Sequence, residues 1–272
     1  MELRSRQARI TAQFSSSSPR WYAFRVWRRR NGGELPLIIG HRGASAVENE
    51  NSVAAFARAR ADGADGVELD AMICGTGEVV VFHDDDLVRL GGRPERIGET
   101  SFAILRGVTL TSGAKIPTLE EVFEACGPDM RVNVELKIPS RGPAPVAPLV
   151  DGVAAIVERI GAAGRVLASS FHPWAVRLWM RRMPAVPAGL LFEREAPLPL
   201  RNAWAAPVLR PFALHPEMVL CTPARVTGWH RRGYAVNVWT VDGAAELAAC
   251  RRMGVDGIIT NDPAKTRALL AG

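Results

Sequence analysis

Glu68 and Asp70 sit two residues apart in the apolar run Val67-Glu68-Leu69-Asp70, and Asn133, Glu135 and Lys137 alternate in the same way with Val134, Leu136 and Ile138. Side chains two apart in a strand share a face, so each run puts its polar groups on one side and its aliphatic groups on the other. Two more apolar runs end abruptly: the one from Leu37 in His41 and Arg42, the one from Val79 in His83 and Asp84. A buried unpaired charge is strongly destabilising. Four strands that all place polar groups toward their C-terminal ends therefore mark a site.

Glu68, Asp70 and Glu135 are hard oxygen donors that suit one divalent cation, Mg2+ or Ca2+, better than a soft metal. Crowded together without a cation, some of the three would have to be protonated; the competing reading is an ion-pair network with Lys137 and Arg42. His41 and His83 titrate near neutrality and form the natural acid–base pair, and residue type alone does not say which is which. Arg42 can grip a phosphate oxygen, and Lys137 adds a point charge beside it. Such a set receives an anion whose charge rises in the transition state. Phosphoryl transfer fits better than acyl transfer, for no serine elbow or cysteine nucleophile presents itself. Glycosidase chemistry would leave both histidines without a task.

The elements that must hold these residues alternate. Short apolar runs at 35–40, 66–73, 78–83, 132–138, 166–171, 188–192, 235–241 and 257–260, with a weaker one at 212–214, read as strands. Stretches of helical period at 52–61, 118–126, 146–160, 174–182, 224–232 and 244–253 lie between them. Strand–helix alternation implies parallel βαβ units. Eight or nine strands with no Gly-rich nucleotide loop point to a TIM-type (β/α)8 barrel of the α/β class, whose sites lie at the C-terminal ends of its strands. Residues 84–115 break the rhythm and are read as a small insertion after the His83 strand.

The chain has 272 residues and a net charge of +6, but residues 1–33 hold eight arginines against Glu2, leaving −1 for residues 34–272. Residues 1–34 are read as a basic, disordered tail and residues 35–272 as one barrel domain. Nucleic acid is not an expected partner; peripheral membrane contact through the tail and an organellar transit peptide are the lesser alternatives. Cys74, Cys126, Cys221 and Cys250 show no metal-finger spacing and are read as reduced thiols in a cytoplasmic protein. No apolar run reaches the roughly 18 residues of a membrane helix. Oligomeric state is not legible. His172, His215 and His230 are read as solvated loop or helix histidines.

These residues also carry a family likeness. His41-Arg42-Gly43, Glu50-Asn51-Ser52, Glu68-x-Asp70, His83-Asp84, Ile116-Pro117-Thr118-Leu119-Glu120-Glu121, Asn133-x-Glu135-x-Lys137, Trp239-Thr240-Val241 and the closing Asp256–Pro263 stretch occur in the order seen in glycerophosphodiester phosphodiesterases, which the chain resembles over about residues 36–264. The resemblance implies a TIM barrel with a small insertion, a cation on Glu68, Asp70 and Glu135, and His41 and His83 as general base and acid. It further implies attack by the substrate's own neighbouring hydroxyl, release of an alcohol, and opening of a cyclic phosphate by water to give glycerol 3-phosphate. The substrate is thus a small phosphodiester, with Arg42, Lys137 and Trp239 binding it; Trp239 covers the glycerol carbons or the departing group, or simply packs. Two departures stand out: Asn49-Glu50-Asn51-Ser52 replaces the usual Pro-Glu-Asn-Thr, and Val88-Arg89-Leu90-Gly91-Gly92 replaces a threonine-rich stretch. Competing readings are a lysophospholipase D or sphingomyelinase-D-like enzyme acting on larger lipids, and a non-catalytic phosphate-binding barrel.

Overall fold

The structure, a computed structural model, describes residues 24, 26–27, 30, 34–139 and 146–271. Most of the basic tail, and with it the expectation of disorder there, lies outside the described residues. Nine strands form a single sheet: β1 (Leu37–His41), β2 (Gly66–Ile73), β3 (Val79–Val81), β4 (Arg131–Leu136), β5 (Val166–Ser170), β6 (Ala188–Phe192), β7 (Ala213–Pro216), β8 (Ala235–Val238) and β9 (Gly257–Thr260). Every neighbouring pair is parallel except β2–β3, and β1 pairs with both β9 and β2. That last pairing closes eight strands into a barrel and leaves β3 outside it. Closure accounts for the composition of the strands: each is covered by helices on one side and by its opposite numbers on the other, so both faces are buried.

The helices that wrap the barrel are α1 (Val53–Ala61), α4 (Leu119–Cys126), α5 (Val146–Arg159), α6 (Pro173–Arg182), α9 (Pro223–Arg231), α10 (Ala244–Met253) and α11 (Pro263–Ala271), with short α7 (Leu198–Arg201) and α8 (Ala206–Leu209) between β6 and β7. Their starts are written locally. Ser52 accepts from the Ala55 N–H at 3.1 Å, and Thr118 with Glu121 forms a reciprocal capping box. The largest core lies between the strands and this helical layer. A second fills the barrel interior with Leu37, Ile39, Leu167, Ala213, Ala235 and Ile259.

Trp27, which the sequence reading left in the tail, joins the interior core at 2% exposure. Its indole N–H donates to the Arg165 carbonyl at 3.2 Å, and Arg131 Nε donates to the Val26 carbonyl at 2.9 Å. Arg131 and Arg165 stand where β4 and β5 begin, so this segment seals the barrel at the end opposite the site. An aromatic ring removed from water there contributes about 2–3 kcal/mol.

The irregular stretch after β3 folds into α2 (Val88–Gly91), a 3-10 turn (Ile97–Glu99) and α3 (Phe102–Gly107). It has a small core of its own, in which Leu87, Ile97, Leu105 and Ile116 pack on Met72, Cys74, Val80 and Phe82. β3 therefore belongs to this unit as much as to the sheet. The 78–83 run is not a barrel strand: it folds back antiparallel along the upper end of β2, pairing Ala71 with Val81, because it contributes Val80 and Phe82 to the insertion's core.

Candidate active site

Parallel register brings the sequence-selected residues together. His41 is the cross-strand partner of Glu68, and Asp70 of Glu135. One carboxylate oxygen from each of Glu68, Asp70 and Glu135 lies within 4.8 Å of the others, and all three side chains are buried. Lys137 follows β4 directly and places Nζ 3.4 Å from Glu135 Oε1 and 3.6 Å from Asp70 Oδ1.

Arg42 turns the chain at the top of β1 in the left-handed region, φ 55°. This conformation lets its backbone N–H donate to Glu68 Oε2 at 3.0 Å, while its guanidinium donates to Glu50 at 2.8 Å. Its Nε is 3.3 Å from Asp70 Oδ2 without the alignment of a hydrogen bond. Gly43, at φ 87°, is required next: a Cβ there would stand 2.6 Å from the Ala55 backbone, because α1 packs directly against the turn. Asn51, also left-handed, donates to Asp70 Oδ2 at 2.8 Å and accepts from the Asp70 N–H.

The two histidines are held by different partners. His41 Nδ1 is 2.7 Å from Asn261 Oδ1. The Asn261 amide is itself oriented, since its Nδ2 donates to Asp242 Oδ2 at 2.6 Å and Ser45 Oγ donates to its Oδ1 at 2.8 Å. An amide oxygen can only accept, so His41 carries its proton on Nδ1 and presents a bare Nε2. His83 Nδ1 instead donates to Asp84 Oδ1 at 2.7 Å. Arg89, on α2, joins these groups: it donates to both Asp84 oxygens and both Glu50 oxygens over 2.6–3.0 Å. The insertion is thereby tied to the partners of both His83 and Arg42.

Burial and neighbours set the charge states. Burial, with Asp70 and Glu135 beside it, holds the Glu68 carboxyl well above its usual range. Burial also pushes Glu135 up to about 7, against the pull of Lys137. Asp70 is equally buried, yet Lys137 and Arg42 hold it below its usual value. Burial and then Arg42 take His41 down to about 4, so it is neutral at pH 7. His83 is also lowered by burial, with Asp70 and Asp84 working against the fall.

These groups open into a cavity of about 300 Å³ lined by His41, Arg42, Glu68, His83, Glu135, Lys137, Phe171, Leu191, Glu193, Trp239 and Ile259. Trp239 therefore reaches the site; its N–H is taken by the His215 carbonyl at 2.8 Å, and its ring meets Phe171 edge-on at 5.5 Å. A larger cavity, about 790 Å³, lies at the opposite end between the C-termini of α4 and α5. It gathers no comparable set of convergent acid–base groups, so chemistry and not volume decides between them.

Sequence reasoning missed several contributors. Asn51, Asp84 and Asn261 stood inside motifs already noted and Arg89 inside a stretch noted only as a departure from the family pattern, but Asp242 and Glu193 gave no local signal. Two histidine expectations fail. His215 is fully buried, bonded to Asn237 at 3.0 Å, because it stands on β7 inside the barrel. His230 meets Asp256 Oδ2 at 2.9 Å at the far end. His172 is exposed as expected. Three of the four thiols are buried, and burial raises Cys126, Cys221 and Cys250 to about 12. No helix among the described residues is long and apolar enough to cross a membrane.

Comparison with known proteins agrees with this geometry. A glycerophosphodiester phosphodiesterase of Caldanaerobacter subterraneus subsp. tengcongensis is 33% identical over 236 residues, covering 84% of this chain and 94% of that protein. A solved structure from Silicibacter pomeroyi superposes with a TM-score of 0.82 at 24% identity, over 92% of this chain and 97% of its own. An Oleispira antarctica phosphodiesterase, solved with its product sn-glycerol-3-phosphate, shares the fold with a TM-score of 0.77 at 24% identity, over 88% and 98%. The model of the glycerophosphoryl diester phosphodiesterase family matches residues 41–265, and the chain belongs to that family.

Proposed function

We propose that this protein hydrolyses glycerophosphodiesters to glycerol 3-phosphate and an alcohol, with His41 as general base, His83 as general acid and one divalent cation, Mg2+ or Ca2+, on Glu68, Asp70 and Glu135. The observation that carries the reading is the convergence of three buried carboxylate oxygens within 4.8 Å of one another, with Glu68 and Glu135 on a cavity wall shared with two histidines, Arg42 and Lys137. The donor set fits a hard cation. Glu68 and Glu135 are both driven toward protonation where they stand, a conflict that a divalent charge relieves. When bound, the cation supplies positive charge for the phosphoryl oxygens.

The chain's own residues divide the remaining work. Arg42 and Lys137 present positive charge to the non-bridging oxygens, while Glu50 and Asn51 hold Arg42 and Asp70 in place. His41 Nε2 takes the proton of the glycerol hydroxyl as that oxygen bonds to phosphorus. His83 gives its proton to the departing alkoxide as the old P–O bond breaks. In the second half the roles exchange: neutral His83 takes a proton from water, and protonated His41 returns one to the ring oxygen as the cyclic phosphate opens. The surroundings support this division, since Asp70 and Asp84 favour a proton on His83 against the effect of burial, while burial and Arg42 keep His41 neutral.

Two variants and two leaving groups test the reading. On glycerophosphocholine, His41→Ala and His83→Ala each lose about 10²–10⁴ in kcat. With p-nitrophenol as leaving group little protonation is needed, so His83→Ala recovers and His41→Ala does not. Equal loss in both variants on both substrates contradicts the assigned roles.

A further inference from the structure

We propose that the catalytic cavity selects glycerophosphodiesters whose alcohol carries an ammonium group, with Glu193 making the selection and Trp239 and Phe171 forming the walls beside it. The inference rests on the catalytic reading above and adds the class of alcohol to it.

The mouth of the barrel is divided. The ends of β1, β2 and β4 carry His41, Arg42, the three carboxylates and Lys137, all of which the proposed chemistry uses. The ends of β5, β6 and β8 bring Phe171, Leu191, Glu193 and Trp239 to the same cavity. β6 is four strands from β1 by either route round the barrel, so Glu193 stands across the opening from Arg42. Attacking and leaving oxygens lie roughly in line through phosphorus. With the glycerol hydroxyl at His41 on β1, the alcohol is the arm of the diester that reaches this far arc.

The far arc suits an ammonium better than a polyol. The Trp239 N–H is taken by the His215 carbonyl at 2.8 Å, so the indole offers the cavity its ring and no donor. Phe171 meets it with ring planes at 89°, which makes two aromatic walls at a right angle. The polar side chain beside them is Glu193, an acceptor only. A neutral hydroxylated alcohol finds no side-chain donor among these residues, whereas an ammonium gains aromatic rings and a carboxylate. Among the described residues Glu193 is in no ion pair; Lys137 is engaged with Asp70 and Glu135. Burial, and then Glu217 at the end of β7, raises the Glu193 carboxyl above its ordinary value, and a cation beside it opposes that rise.

The test is kcat/KM for glycerophosphocholine, glycerophosphoethanolamine and the neutral-alcohol diester glycerophosphoglycerol, with divalent cation present. Wild type should favour the two ammonium substrates by about tenfold or more. Glu193→Gln keeps the shape and removes the charge; it should lower that preference about tenfold, mainly through KM. Glu193→Lys should lower it about a hundredfold, since reversing the charge doubles the electrostatic effect. Trp239→Leu should lower it about fivefold. Equal melting temperatures across the variants establish that each is folded. A wild type without the preference, or a preference that survives Glu193→Gln, overturns the proposal and leaves the catalytic reading standing. So does a Glu193→Gln enzyme slowed equally on all three substrates, which would make Glu193 a partner of the glycerol hydroxyls. No hydrolysis of any of the three by wild type overturns both.

Discussion

Acidification should unfold this protein partly through one buried histidine that is not part of the acid–base pair. His215 is buried on all sides and burial takes its pKa from 6.5 to about 3. Its Nε2 accepts from Asn237 Nδ2, while Nδ1 finds no protein partner among the described residues. The native state therefore keeps the ring neutral while the unfolded chain protonates it below its ordinary pKa. With the native value depressed, the unfolded state binds more protons, and stability present above pH 6.5 is lost as pH falls toward 3. Linkage between those two values gives about 2 kcal/mol lost at pH 5 relative to pH 8. Moving the native pKa by a unit changes that figure by only about 0.1 kcal/mol, because at pH 5 the native ring is almost wholly neutral either way. Urea unfolding of wild type and His215→Asn at the two pH values isolates the effect: the variant's constant packing defect cancels, and its loss between pH 8 and pH 5 should be smaller by about 2 kcal/mol. Equal losses in the two proteins would refute the reasoning.

Divalent cation at a hundredfold excess over Kd should stabilise the fold by about 2.7 kcal/mol, roughly 5–10 °C in Tm for a domain of this size. Glu135→Gln should abolish that rise, yet be at least as stable as wild type in EDTA, since Glu135 is driven toward protonation where it stands; scanning calorimetry reads both. Asn261→Ala removes the acceptor that fixes the His41 tautomer and should lower kcat about tenfold to a hundredfold with KM little changed, as steady-state kinetics will show. Arg89→Ala should cost under about 1 kcal/mol of stability, because the side chain is half exposed. It should nonetheless reduce turnover through Glu50 and Asp84, and Arg89→Lys should fail to rescue it, as one ammonium cannot span two carboxylates.

The barrel was legible because its strands are buried on both faces, which makes each polar residue in them conspicuous. Glu68, Asp70, Glu135, His41 and His83 stood out in this way, and register then brought them together. β3 was misplaced for the same reason: Val79–Val81 reads as a barrel strand, and nothing local reveals that it turns back along β2. Asp242 escaped notice because its partner Asn261 lies 19 residues away; Arg89 stood out only as a departure from the family pattern, because the Glu50 it ties to Asp84 lies 39 residues away. Trp27 was hidden by its arginine neighbours, whose charge resembles that of a solvated tail. His215 was lost with β7, a four-residue strand, Ala-Leu-His-Pro, too short to show alternation.

The most direct measurement is release of glycerol 3-phosphate from glycerophosphocholine by wild type and Glu68→Ala, in EDTA and after adding back Mg2+ or Ca2+. Turnover that stops in EDTA, returns with cation in wild type and stays absent in Glu68→Ala is the predicted result. Turnover indifferent to EDTA, or undiminished in Glu68→Ala, would contradict a cation held by Glu68, Asp70 and Glu135.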